Sequence, residues 1–174
     1  MKDTRNFGFT IVELLIVIVV IGILAALVLN TFSGVQTRAR ATAVAQGIKA
    51  AEKSFNGYMA GEGYSSWPED NELNGTSNPH LDDLAADTDF GQYMQQVPEV
   101  NGLDSLYFTY DNDGDSYGGC AGDNKGVNIG IYNLPRDVAI EIDKTIDDGD
   151  LSCGKARYLT DRMFYNISES STLQ

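Results

Sequence analysis

The chain has 174 residues, with 25 Asp and Glu against 12 Lys and Arg, for a net charge of −13. That acidity argues against a nucleic-acid partner, which needs a basic face. A hydrophobic fraction of 43 % excludes disorder and coiled coil as descriptions of the whole. Neither property is spread evenly. Residues 14–29 (LLIVIVVIGILAALVL) hold no polar side chain, whereas residues 61–174 carry 22 acids and only 6 bases. A membrane-competent N-terminus is thus joined to an acidic body large enough to bury a core of its own.

Counted back to Phe9, the apolar stretch is 21 residues long and is interrupted by one charge, Glu13. As a helix it runs about 32 Å, enough to cross the hydrocarbon of a bilayer. A secretory signal peptide has a shorter apolar region and a small-x-small cleavage site, and here Leu24 stands where the first small residue is wanted. A plain transmembrane anchor fits the length, with Lys2 and Arg5 holding the N-terminus in the cytoplasm. It does not account for Glu13, since a carboxylate in that setting costs about 2.5–3.5 kcal/mol on insertion scales.

Residues 1–22, MKDTRNFG followed by FTIVELLIVIVVIG, resemble the prepilin signature of type IV pilins. The match runs through Gly8, Phe9, Thr10, Glu13 and Leu14 and continues over Ile21-Gly22-Ile23-Leu24-Ala25-Ala26. The resemblance implies a leader, residues 1–8, that prepilin peptidase removes between Gly8 and Phe9. Phe9 then becomes the mature N-terminus and the site of N-methylation. It further implies that Glu13 acts in assembly by attracting the N-terminal amine of a neighbouring subunit. Two charges that are costly alone in lipid would then offset each other. Gly22, Ala25 and Ala26 offer small surfaces for close helix packing, or are ordinary transmembrane composition.

The helical pattern continues past the apolar segment. Val44, Ile48, Ala51, Phe55 and Met59 are spaced 4, 3, 4 and 4, one apolar stripe at helical period. One helix over residues 9–59, about 77 Å long, is predicted, apolar to about residue 29 and amphipathic beyond. Many members of the family carry a Pro shortly after the Ala-Ala pair. This chain has none there, and its weak helix formers Asn30, Ser33 and Gly34 leave room for a local melt. The basic residues Arg38, Arg40, Lys49 and Lys53 face either the membrane surface or acids of neighbouring heads.

Residues 60–174 form the head. Residues 60–103 read as an ordered connection with short helices: Asn78-Pro79 supplies an N-cap and a first-position Pro, and Asp89 caps a further turn. Residues 105–110 (SLYFTY) have strand character. Val127, Ile129 and Ile131 alternate as in a half-buried strand. Pro135 opens a helix carrying Val138, Ile142 and Ile146, and two strands near 155–159 and 163–167 flank a Thr160-Asp161-Arg162 turn. The predicted class is α+β, a long N-terminal helix packed on a small antiparallel sheet of about four strands.

Cys120 and Cys153 are the only cysteines, and in an exported head an even count suggests one disulfide, two unrelated buried thiols being the alternative. The bridge would close a 34-residue ring, residues 120–153, and contribute about 3–4 kcal/mol. Asp111, Asp113 and Asp115 stand at alternate positions, as in the opening of many calcium loops. Ser116 and Gly122 break the EF-hand pattern. A different calcium site, or an Asp/Asn/Gly-rich turn, is left. Asp147-Asp148-Gly149-Asp150 reads as a helix-ending turn, with a cation site as the second reading. His80 is the only histidine and no catalytic set is evident, so an enzyme is not expected.

Together with the resemblance, these features imply a structural pilus subunit. It is a single-pass membrane precursor with its N-terminus inside, then part of a homo-oligomeric filament at the cell surface. Its partners are the prepilin peptidase and the pilus assembly machinery. The alternatives are a type II secretion pseudopilin and a minor tip pilin for adhesion or DNA uptake.

Overall fold

A computed structural model describes residues 10–70, 73, 75, 77–87, 89–94, 97, 99–112 and 126–168, with the backbone alone at 29–31. It contains helices α1 (Ile11–Glu62), α2 (Leu81–Ala86) and α3 (Arg136–Ile146). Its strands are β1 (Tyr107–Asp111), β2 (Val127–Tyr132), β3 (Ala156–Leu159) and β4 (Arg162–Ser168). The strands make one antiparallel sheet of order β1-β2-β4-β3. The fold is α+β, a long N-terminal helix and a small four-stranded sheet.

The predicted helix is one continuous element and extends to Glu62; its helical run passes through Asn30, Ser33 and Gly34 without a break. Two compact units meet inside it, residues 1–36 and 37–174. In the first, every described residue from Thr10 to Val28 is exposed. This helix is long and apolar enough to cross a membrane.

In the second unit the helix is amphipathic as its spacing requires. Val44, Ile48, Ala51, Phe55 and Met59 are all buried, joined by Ala41, Ala45 and Tyr58. They share one core with the inner face of the sheet, Phe108, Tyr110, Ile129, Ile131, Met163 and Tyr165. Phe55 sits 4.7 Å from the rings of both Phe90 and Tyr110. Two of the four helix cations, Arg38 and Lys49, have acidic partners within the chain. Arg38 lies 3.6 Å from Glu141. Lys49 bonds Glu52 and the Tyr165 hydroxyl and lies over the Tyr165 ring. Burial alone would lower the Lys49 pKa, but those two hydrogen bonds outweigh it and hold the ammonium above its ordinary value.

The strand β2 departs from the half-buried expectation, because both of its faces are covered. Asn128 and Gly130 are as buried as Ile129 and Ile131. Asn166 Nδ2 donates to Asn128 Oδ1 (3.2 Å), and Asn128 Nδ2 donates to the Gly126 carbonyl (3.0 Å). These bonds let an outward polar pair be buried without loss. A side chain at Gly130 has no room: a Cβ would meet Thr109 Oγ1 at 2.3 Å and the Tyr132 ring at 3.0 Å. Gly130→Val is expected to lower stability by about 1–3 kcal/mol, measured by denaturant unfolding; an unchanged midpoint would mean the sheet yields freely there.

Local details of the connection differ from the sequence expectation. Asn78 does not cap α2; it adopts φ 50°, and the N-cap is His80. Pro79 is drawn into the sheet instead, its carbonyl accepting Tyr110 N–H (3.0 Å) while His80 bridges to Thr109. This covers the outer edge of β1, an edge that would otherwise template aggregation. Asp87, not Asp89, supplies the next cap, accepting the Asp89 N–H at 2.8 Å. The strand β1 begins at Tyr107 because residues 103–106 close a turn, Leu106 N–H donating to the Leu103 carbonyl (2.9 Å).

Candidate functional site

Two regions carry the residues that the sequence singles out, the start of α1 and the turns of the head. At the helix start, Thr10 and Glu13 satisfy each other. The Thr10 amide and its hydroxyl both donate to Glu13 Oε2 at 2.8 Å, and the Glu13 amide donates to Thr10 Oγ1 at 3.2 Å. This is a capping box, in which the residue at the helix entrance and the acid three positions on close two open backbone donors. The T-x-x-E pattern of Thr10 to Glu13 is visible in the sequence, and it gives Glu13 a capping role beside the intersubunit one that the resemblance implies. Among the described residues, Glu13 Oε1 takes no hydrogen bond, so one carboxylate oxygen is left for a further partner. A negative charge at this end also suits the positive pole of the helix. The cleavage residues Gly8 and Phe9 lie outside the described residues.

In the head, Cys153 is disulfide-bonded. Cys120 lies outside the described residues. The Cys153 amide donates to the Asp150 carbonyl (2.8 Å), which places the bridge in the turn between α3 and β3. Of the three acids proposed for calcium, Asp111 is buried at the end of β1; Asp113 and Asp115 lie outside the described residues. The neighbouring Asn112 ties β1 to the connection. Its amide nitrogen Nδ2 donates to the Pro68 carbonyl (2.8 Å), and its backbone N–H donates to the buried Asp70 carboxylate. Asp70 also accepts the Asn78 N–H at 3.0 Å. It therefore organises the connection, a role with no signal in the sequence because Asn78 and Asn112 are 8 and 42 residues away.

No described group of side chains has the geometry of a catalytic set. His80 stacks on Tyr107 (4.4 Å between centroids), which stacks on Tyr132 (4.9 Å), and the Arg162 guanidinium lies over Tyr132. This column closes one end of the outer sheet face by ring contact.

The model of the prokaryotic N-terminal methylation motif matches residues 3–29. A type IV major pilin protein PilE1 of Neisseria gonorrhoeae is 34 % identical over 104 residues, 58 % of this chain and 56 % of that protein. A fimbrial protein of Neisseria meningitidis is 34 % identical over 105 residues, 58 % of this chain and 54 % of that protein. The type IV major pilin PilA of Myxococcus xanthus is 44 % identical over 56 residues, covering 30 % of this chain and 26 % of that protein. The chain thus spans little more than half the length of the curated relatives it matches. No solved structure matches. With the methylation motif at its start, these relatives and an α+β fold led by one long helix, the chain is similar to type IV pilins over its N-terminal region and part of its head.

Proposed function

We propose that the chain is a structural subunit of a type IV pilus. It is inserted in the cytoplasmic membrane as a precursor, cut between Gly8 and Phe9 by prepilin peptidase, methylated on the Phe9 amine and packed into an extracellular filament. The observation that carries this reading is the first half of α1, a helix apolar and exposed on every side with a lone acid at its entrance. Such a helix is stable only in lipid or among other helices. The filament reading gives it both, in succession.

Gly22 supports the same conclusion. A Cβ there would meet nothing within 4 Å, so nothing in the chain's own fold calls for a glycine at a cost of about 1 kcal/mol in a helix. A small residue is useful there for the close approach of another helix. The acidic head suits a surface that must remain soluble outside the cell. Relatives named as major pilins and as a fimbrial protein favour a pilus subunit over a secretion pseudopilin.

Gly8→Leu is expected to leave the precursor uncut, visible as a slower band in the membrane fraction, with no fibres in the sheared surface fraction. In the parent, mass spectrometry of sheared fibres should find this chain beginning at a methylated Phe9. Normal fibres from Gly8→Leu would overturn the cleavage assignment.

A further inference from the structure

The C-terminal end of α3 holds an arrangement of carboxylates apart from the start of α1. Asp143 is on the buried side of the helix with Val138, Ala139 and Ile142, and its exposure is 0 %. Among the described residues neither of its carboxylate oxygens has a hydrogen-bond partner of good geometry, the Gly149 amide being near without completing a bond. An isolated buried carboxylate is among the most unfavourable groups a protein can hold. Alanine or leucine at this position would remove that cost and keep the packing. A turn further on, Asp147 and Asp148 each bring a carboxylate oxygen close, and the three oxygens lie within 4.8 Å of one another.

The side chains around Asp143 aggravate its position instead of relieving it. Burial first, and then the charges of Asp147, Asp148 and Asp150, push its carboxyl up to about 6, opposed only by the Gly149 amide. Lys144, the adjacent cation, is committed to Glu141 at 2.9 Å. Asp147 and Asp148 are meanwhile held in place. Ala156 N–H donates to Asp147 Oδ2 (2.7 Å), and Asp150 N–H donates to Asp148 Oδ1 (2.8 Å). Each of those bonds uses one carboxylate oxygen and leaves the other.

We propose that Asp143, Asp147 and Asp148 form a divalent-cation site that takes calcium. Two ligands of one calcium ion, each at about 2.4 Å, lie no more than about 4.8 Å apart, the separation that encloses these three oxygens. The donors are all hard oxygens, and two of them stand on a turn rather than a rigid element. That suits calcium, with its six to eight flexible ligands, better than magnesium with its strict octahedron. Water and main-chain carbonyls complete the shell. Because Asp147 also bonds the first residue of β3, an ion here fastens the end of α3 to the sheet across the segment that contains Cys153. The site stands independently of the filament reading, and a subunit that failed to form fibres could still show it.

The test is thermal unfolding of the full mature chain in detergent micelles, in about 5 mM calcium chloride against EDTA. Calcium is expected to raise Tm by about 3–8 °C. Asp143→Asn should remove that rise. In EDTA the same variant should melt above the parent, because its neutral amide donates to the acids that the carboxylate repels. Asp148→Asn, at an exposed position, keeps the fold and should weaken the calcium response even if Asp143→Asn does not fold. The double variant Asp113→Asn, Asp115→Asn should retain the full response. Absence of a calcium shift in the parent, a full shift in both Asp143→Asn and Asp148→Asn, or loss of the shift in the Asp113/Asp115 double variant overturns the proposal.

Discussion

Glu13→Gln is expected to insert in the membrane, to be cleaved, and to yield at least about tenfold fewer surface fibres, equivalent to about 1.4 kcal/mol at each subunit junction. Glutamine is the informative replacement because it separates two roles that alanine removes together. The carboxylate accepts two hydrogen bonds from Thr10 at the start of α1. A Gln carbonyl can do the same, since Gln serves as well as Glu in a capping box. What Gln lacks is the charge. If attraction to a neighbour's terminal amine drives assembly, Glu13→Gln fails as Glu13→Ala does. Alanine should in addition weaken the helix start by about 0.5–2 kcal/mol. Fibre counts by electron microscopy, set beside the cleaved subunit in the membrane fraction, make the comparison. Parental fibre yield from Glu13→Gln would assign Glu13 to capping alone.

Phe55→Ala is expected to destabilise the head by about 3–5 kcal/mol, the usual loss for a buried phenylalanine. Phe55 is 1 % exposed, lies between Phe90 and Tyr110, and belongs to an aromatic cluster that Tyr58, Tyr64 and Tyr93 extend. The cluster joins three separate stretches of chain: α1, the connection and β1. Losing its centre removes a large share of a typical domain's net stability. Denaturant unfolding of the purified chain in detergent measures it. Phe32→Ala is the control, since Phe32 is 58 % exposed on the same helix and should leave the head's unfolding midpoint where it was. A loss below about 1 kcal/mol for Phe55→Ala would show that the head holds together without its helix.

The elements with strong periodicity were legible from residues alone. The stripe from Val44 to Met59 faces the core, and Val138 and Ile142 face it from α3. The strands lie within a residue or two of where alternation and turn signals put them. Errors fell where local chemistry had a tertiary competitor. Asn78-Pro79 has the composition of a helix start, but pairing with β1 claims the Pro79 carbonyl and moves the cap to His80. The basic residues of α1 looked free for outside partners. Within the chain, Glu141 meets Arg38, and Glu52 and Tyr165 meet Lys49, contacts that only Glu52 is near enough in sequence to suggest.

Charge and hydropathy by themselves determined that this protein has an apolar N-terminal helix, an acidic head and a single acid at the entrance of the apolar segment. These are properties of consecutive residues, and a helix or a strand expresses them wherever it is placed. Only the tertiary structure decided that the outer face of β2 is buried, that Asp70 stitches the connection to β1, and that Asp143 is enclosed beside Asp147 and Asp148 with no well-formed hydrogen bond among the described residues. Burial and pairing depend on which remote residues arrive at the same place. The acidic run at 147–150 was visible as a composition, and the enclosed Asp143 distinguishes it from an ordinary helix-ending turn.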